Sequence, residues 1–280
     1  MLHLSLGLDI YIGIIAFLFG ACMGSFLNCM AWRIVHEESV LKGRSHCDIC
    51  GATLGVRDLI PIFSFIASRG KCRHCGARLS VGHVVAEVLS GLTFLLLIFK
   101  YDISFQALEM LLFACILLGA AFADLQGYII PDRFIAAGIL FRIPFFFLLP
   151  DWKSSLIDAL LGGFLMVTGL LVLVLIYEKI RGIEAMGGGD LKLLFVTGLY
   201  LGWAKNLLCL LFACVMGIFF GLITLKRKDK ADGSSDMAED GQDQENPNIF
   251  PWGPSISAAA ILTLLIGQPL IDWYLSLSGL

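Results

Sequence analysis

Of the 280 residues, 58% are hydrophobic and only 15% charged, and the mean hydropathy is +0.85. A water-soluble globule carries about 45–50% apolar and about 25% charged residues, so the composition excludes an ordinary soluble fold and points to a chain built for lipid. The net charge of −3 says little, because in such a chain the location of charge matters more than its sum.

Apolar windows fall at 10–31, 82–99, 105–123, 134–149, 156–177, 191–203, 206–225 and 254–275. They predict an all-α polytopic membrane protein of about eight transmembrane helices, each crossing needing roughly 20 apolar residues. The first window has no basic stretch before it and no clear cleavage site, and reads as a retained helix rather than a secretory signal. It contains polar Ser25 and Asn28, which a lipid-facing helix would avoid. The window at 191–203 is short, and Gly187, Gly188 and Gly189 precede it; it is tilted or begins below the headgroups.

Lysine and arginine set the orientation. The stretch 33–81 holds Arg33, Lys42, Arg44, Arg57, Arg69, Lys71, Arg73 and Arg78. If it is cytoplasmic, alternation puts Arg133, Lys179, Arg181, Lys192, Lys226, Arg227, Lys228 and Lys230 on the same side. Only Lys100, Lys153 and Lys205 then lie outside, with Arg142 within a helix, and both termini lie outside the cytoplasm. The expected organisation is a first transmembrane helix at 1–32, a cytoplasmic cysteine-rich domain at 33–81 and a membrane domain at 82–225 carrying helices 2–7. A disordered acidic linker at 226–250 and a last helix at 251–280 complete it. No internal repeat is expected.

Nine cysteines divide in two. Cys22, Cys29, Cys115, Cys209 and Cys214 lie in apolar windows, where cysteine is a small hydrophobe. The others form Cys47-x-x-Cys50 and Cys72-x-x-Cys75, each followed by a glycine, Gly51 or Gly76, that permits a tight turn. Two such pairs complete a tetrahedral Zn²⁺ site with no open position, hence a structural one. Two disulfides are the alternative, disfavoured by a reducing cytoplasm. His46 and His74 adjoin the cysteines but four thiolates already suffice.

Ionisable groups in a bilayer are costly, and each is a functional candidate. Asp9, Asp102, Asp151, Asp158 and Asp272 read as interfacial groups at outer ends, and Glu109 also lies near one. Glu87, in the first turns of the second helix, suits a substrate or structural role. Asp124 closes the third window and Asp190 opens the sixth, both at the cytoplasmic face. Two carboxylates at one depth would share a proton, the state in which one activates water and the other protonates a scissile carbonyl. Gly187 and Gly189 strip side chains from the approach to Asp190, and glycine also allows unusual backbone angles there. Asp132, after Pro131, reads as a helix N-terminal charge. Spacing alone leaves open two unrelated capping aspartates, or a proton-coupled transporter.

In order along the chain stand Gly24-Ser25-Phe26-Leu27-Asn28 with Arg33, the two cysteine pairs with Gly70-Lys71, Glu87, and Asp124 with Ile130-Pro131-Asp132. Gly187-x-Gly189-Asp190-x-Lys192, Leu201-Gly202-Trp203 and Pro251-Trp252-Gly253-Pro254 follow. This ordered set resembles the type IV prepilin peptidases, GxGD-type membrane aspartyl proteases of the bacterial inner membrane. The resemblance implies that Asp124 and Asp190 are the catalytic pair. It implies that prepilins or pseudopilins are the substrates, cut after a glycine on the cytoplasmic side, and that S-adenosylmethionine N-methylates the new N-terminus. It associates Gly70 with methyl transfer, a turn glycine being the alternative. Asp48 stands where the family often has proline, and His83-Val84-Val85-Ala86 precedes Glu87 in place of the usual Tyr-Pro. A peptidase without methyl transfer is the second enzyme reading. Membrane lipid is an expected partner and nucleic acid is not; the oligomeric state is left open.

Overall fold

The computed structural model describes residues 6–40, 43–47, 49–148, 152–183, 186–232 and 251–278. Among the described residues the chain is helical, with two isolated β-bridges and no strand. The helices are α1 (Leu6–Val35), α2 (Phe63–Ala67), α3 (Val81–Tyr101), α4 (Phe105–Gly127) and α5 (Asp132–Leu148), then α6 (Trp152–Leu160), α7 (Met166–Arg181), α8 (Gly188–Asp232) and α9 (Gly253–Ser278). A π turn, Leu161–Leu165, joins α6 to α7. The first residues of the expected disordered linker continue α8, and the rest of it lies outside the described residues.

Six described helices, not eight, are long and apolar enough to cross a membrane. The difference has two causes. With 17 residues, α5 reaches only about 26 Å against a hydrocarbon core of about 30 Å. The windows at 191–203 and 206–225 lie on one element, α8.

The chain forms two compact units, Met1–Ile157 and Asp158–Leu280. In the first, α1 packs on α3 through small residues. A Cβ added at Gly20 would meet Phe94 and the Ser90 carbonyl, one at Gly24 the Ser90 side chain, and one at Gly91 the Phe17 ring. Between membrane helices no hydrophobic force favours contact over lipid, so close backbone approach supplies the attraction. Ser80 caps α3 by accepting the Gly82 N–H (3.2 Å), and Ser104 caps α4 by accepting the Ala107 N–H (3.1 Å). Glu109 on α4 is buried and ion-paired with Arg142 on α5, whose guanidinium lies 4.2 Å from the Phe146 ring centroid. Glu109 is thus half of a buried pair rather than an interfacial group. Removing either partner would leave an uncompensated buried charge.

In the second unit α8 is bent back on itself. Gly202 leaves the helix at φ +74, ψ −179. Across the bend the Thr197 hydroxyl donates to Asn206 Oδ1 (2.8 Å) and Asn206 Nδ2 donates to the Leu194 carbonyl (3.3 Å). In a straight helix residues 194 and 206 would stand about 18 Å apart. Asn206 Nδ2 also reaches the Gly162 carbonyl of the π turn (3.0 Å), and the backbones of Gly162, Gly198 and Gly202 touch with no room for a Cβ. Asp158 Oδ1 accepts the N–H of Trp203 (3.2 Å), the first residue of the returning arm. Asp158 therefore caps an interrupted helix rather than simply marking an interface, and its charge faces the positive end of that arm's dipole. The α9 start is held by Trp252, whose indole N–H donates to the Ala213 carbonyl (3.1 Å) over Gly217.

Substituting Gly202→Ala adds a methyl group against the Asp158 carboxylate at a positive φ, and is expected to destabilise the detergent-solubilised protein by at least about 2 kcal/mol. Gly169→Ala, in open space within α7, should be neutral or stabilising by up to about 1 kcal/mol. Thermal melts of the two variants beside the parent check this pair.

Candidate functional site

The segment between α1 and α3 folds as two copies of one small unit, which corrects the expectation of no internal repeat. The pattern Cys-x-x-Cys-Gly-Ala-x-Leu occurs at residues 47–54 and again at 72–79. In each, the first cysteine's N–H donates to the alanine carbonyl, Cys47 to Ala52 at 3.0 Å and Cys72 to Ala77 at 2.8 Å. In each, the glycine N–H returns to the first cysteine's carbonyl, Gly51 at 2.8 Å and Gly76 at 2.9 Å. Both glycines sit at positive φ, +67 and +72, where a side chain would be strained. The two bridges, His46 with Thr53 and Lys71 with Arg78, are likewise equivalent.

This duplication brings Cys47, Cys50, Cys72 and Cys75 together with every sulfur within 4.8 Å of every other, and Cys47 Sγ stands 4.0 Å from Cys75 Sγ. Four sulfurs at about 2.3 Å from a tetrahedral ion lie about 3.8 Å apart, so the cluster has the dimensions of a metal site. The electrostatics agree. The backbone N–H groups of Cys75 and His74 face the Cys72 sulfur and hold its thiol down at about 6. For Cys75 the Ala77 N–H favours the thiolate, but burial and hydrogen bonds shared with Cys50, Cys72 and Cys47 outweigh it and push the thiol up to about 11. Four negative sulfurs this close need a cation between them. Gly70 sits at φ +68, its N–H on the Phe65 carbonyl (2.9 Å) and the Phe65 ring 3.0 Å from where a Cβ would be. Both are requirements of the turn that leads into the second pair.

Helix α1 presents this domain through its last turn. The Trp32 ring meets the His46 ring edge-on, and the Arg33 guanidinium donates to the carbonyls of Val40 (3.4 Å) and Gly43 (3.3 Å). From the other side the buried Glu87 carboxylate on α3 accepts the N–H of Ile62 (2.7 Å). Glu87 thus has the structural role.

Asp124 lies in the last turn of α4 and is 5% exposed. The helix continues past it to Gly127 and ends at Tyr128 in the left-handed region, whose N–H donates to the Asp124 carbonyl (2.9 Å). Gly127 passes Val35 of α1 too closely for any side chain, which fixes the end of α4 against the end of α1. Asp132 is in the first turn of α5, as expected of a helix N-terminal charge. Asp190 is half-buried in the first turn of α8, its N–H on the Gly187 carbonyl (3.1 Å). A Cβ at Gly187 would crowd the Asp190 carboxylate at 3.3 Å, whereas Gly188 faces open space. None of Gly187, Gly188 and Gly189 has a positive φ, so an unusual backbone angle is not what these glycines supply. Asp124 belongs to the first unit and Asp190 to the second.

One polar chain was not anticipated as a unit. Gln126 Nε2 donates to Asn28 Oδ1 (2.7 Å), and Asn28 Nδ2 donates to His83 Nδ1 (2.8 Å), tying α4, α1 and α3 together two residues from Asp124. The signal was a lone asparagine in an apolar window, which in lipid has to find polar partners on neighbouring helices.

Residues 18–101 match the family described as Bacterial Peptidase A24 N-terminal domain, and residues 111–222 match the type IV leader peptidase family. Among similar proteins is the prepilin leader peptidase/N-methyltransferase of Myxococcus xanthus (strain DK1622), 31% identical over 80% of this chain and 66% of the relative. Proteins of the same name from Bacillus subtilis (strain 168) and Burkholderia pseudomallei (strain 1026b) are 29% and 30% identical. They cover 94% and 84% of this chain and 98% and 70% of their own length. No solved structure matches.

A double-mutant cycle on Asn28→Ala and Gln126→Ala should give a coupling of about 1 kcal/mol in detergent melts, the value of a net hydrogen bond in a shared network. Strict additivity of the two single losses would dissolve the link.

Proposed function

Since the chain belongs to the type IV leader peptidase family, we propose that it cleaves the leader peptide of prepilins or pseudopilins at the cytoplasmic membrane face, with Asp124 and Asp190 as catalytic pair. The observation that carries this reading is the match over 111–222, which contains both acids. The buried place of Asp124 and the open glycine side of Asp190 support it. One carboxylate takes a proton from the attacking water as its oxygen adds to the scissile carbonyl; the protonated partner gives its proton to the carbonyl oxygen. Collapse of the tetrahedral species then releases the leaving amine with a proton returned from the pair. A pair that shares one proton in this way titrates jointly, so the rate should follow a bell-shaped pH profile. Gly187 and Gly189 leave space beside Asp190 for an extended peptide.

The relatives' name supports a second activity, N-methylation of the newly exposed amine, for which S-adenosylmethionine supplies the methyl group. The glycine-rich strand-to-helix turn that cradles many adenosyl cofactors has no counterpart among the described residues, where no strand occurs. Gly70 stands beside the second cysteine pair in the domain associated with that activity. Cys47, Cys50, Cys72 and Cys75 would hold one zinc ion with all four positions filled by thiolate, a fixed staple for this domain.

For orientation, the basic residues of the α1–α3 connection, with Lys179 and Arg181 at the end of α7 and Lys192 at the start of α8, support a bacterial cytoplasmic membrane with these segments inside. Both chain termini outside the cytoplasm belong to the same proposed orientation.

Asp124→Asn and Asp190→Asn should each lower prepilin cleavage in liposomes by at least about 1,000-fold while leaving the melting temperature within a few degrees of the parent. Full cleavage by either variant overturns the assignment. Mass spectrometry of the mature pilin N-terminus separates peptidase alone from peptidase with methyl transfer by one methyl group.

Metal analysis should give one zinc per chain, lost in Cys72→Ser. Binding displaces the proton of Cys75, whose thiol is at about 11, so apparent affinity should fall about tenfold per unit of pH lowered for each proton displaced. Below about 6 Cys72 adds its own proton and the fall steepens. Chelator competition between pH 9 and pH 5.5 measures this slope.

A further inference from the structure

We propose that the segment between the two cysteine pairs is an interfacial anchor: residues 56–67 lie in the lipid surface, held at that depth by Glu87. This goes beyond the cleavage reading and does not depend on it. The depth follows from the hydrogen bond of Ile62 N–H to the Glu87 carboxylate (2.7 Å). Helix α3 has 21 residues, about 32 Å, hardly more than the hydrocarbon core it crosses, so its first residue Val81 stands close to the core boundary. Glu87 is six residues further on, about 9 Å along the axis. A backbone bonded to Glu87 is therefore at or inside the headgroup layer, not in the aqueous phase above it.

What surrounds Ile62 suits that depth. Val56, Leu59, Ile60, Phe63 and Ile66 are all exposed, Val56 at 81% and Ile66 at 67%. Phe63 and Ile66 are three residues apart on α2 and share its face. A domain stapled by four cysteines leaves five large apolar side chains facing outward within eleven residues. In water this patch would be a liability; against acyl chains it is a binding surface. Charge selects the lipid. Residues 33–81 carry eight Lys and Arg against Glu37, Glu38, Asp48 and Asp58, with Arg57 inside the apolar segment and Arg69 two residues past its end. Basic residues beside inserted apolar ones are the pattern that anionic headgroups attract. The left-handed backbone of Ile62 (φ +65, ψ −52) is an unfavourable conformation for a β-branched residue, and the bond to Glu87 offsets it.

The test uses the full chain in vesicles of phosphatidylethanolamine and phosphatidylglycerol containing a phospholipid with a diazirine in its acyl chain. After irradiation and trypsin, peptide 58–69 should carry lipid adducts alongside the membrane peptide 79–100, while peptide 45–57 carries adducts only at Val56. Phe63→Asp with Ile66→Asp should reduce adducts on 58–69 by at least about tenfold, and omitting phosphatidylglycerol should reduce them further in the parent. Metal content of one ion per chain in the variant certifies its fold. Glu87→Ala should lose the adducts on 58–69, and Glu87→Gln, which still offers an acceptor, should keep them. The proposal is overturned if 58–69 stays unlabelled while 79–100 is labelled. It is equally overturned if a diazirine-bearing prepilin peptide, and not lipid, is what labels 58–69.

Discussion

A backbone group that leaves a helix inside lipid has no water to turn to, and this one constraint organises the chain. Helices satisfy it automatically along their length; the informative places are where they stop. At Gly202 the helix breaks, and Asp158 takes the Trp203 N–H while Asn206 takes the Gly162 and Leu194 carbonyls. At Ile62 the chain turns against the side of α3, and Glu87 takes the free N–H. These polar side chains deep in apolar stretches are thus matched to an interruption nearby, and Glu109 is matched to Arg142.

The same rule separates what could be read from residues alone from what could not. Apolar runs located the membrane helices because a span needs continuous apolar length, and the paired cysteines announced their cluster because ligand spacing is local. The bend in α8 was not legible. Windows at 191–203 and 206–225 were visible, but the geometry that joins them depends on three glycines, Gly162, Gly198 and Gly202, meeting across the fold. Asp158 looked interfacial for the same reason, since its partner lies 45 residues away. The duplication of the cysteine unit escaped notice because it spans only eight residues, although five of them are shared, and the matching hydrogen bonds are visible only in the fold.

For the acids the reading went further on position than on surroundings. Asp124 and Asp190 were singled out as helix-end carboxylates, and both occupy helix ends. That Asp124 would be buried, with Gly127 pressed on Val35 and Gln126 linked through Asn28 to His83, is a product of three helices converging. The glycines before Asp190 were expected to clear its approach and to allow unusual backbone angles; none of them has a positive φ, which only the backbone geometry reveals.

The paired cysteine units also act on a stretch that contains no cysteine at all. Because each contributes half of one cluster, a bound ion cross-links positions 50 and 72 and turns what lies between into a closed ring. Closing a ring of roughly 20 residues removes about 3 kcal/mol of conformational freedom from the open chain. That is of the same order as the cost of holding Ile62 in its left-handed conformation. Occupancy of a site in the aqueous part of the molecule is thereby coupled to the shape of a segment bonded to a membrane helix. Stripping the ion would be felt first at residue 62, as mobility of the ring against α3.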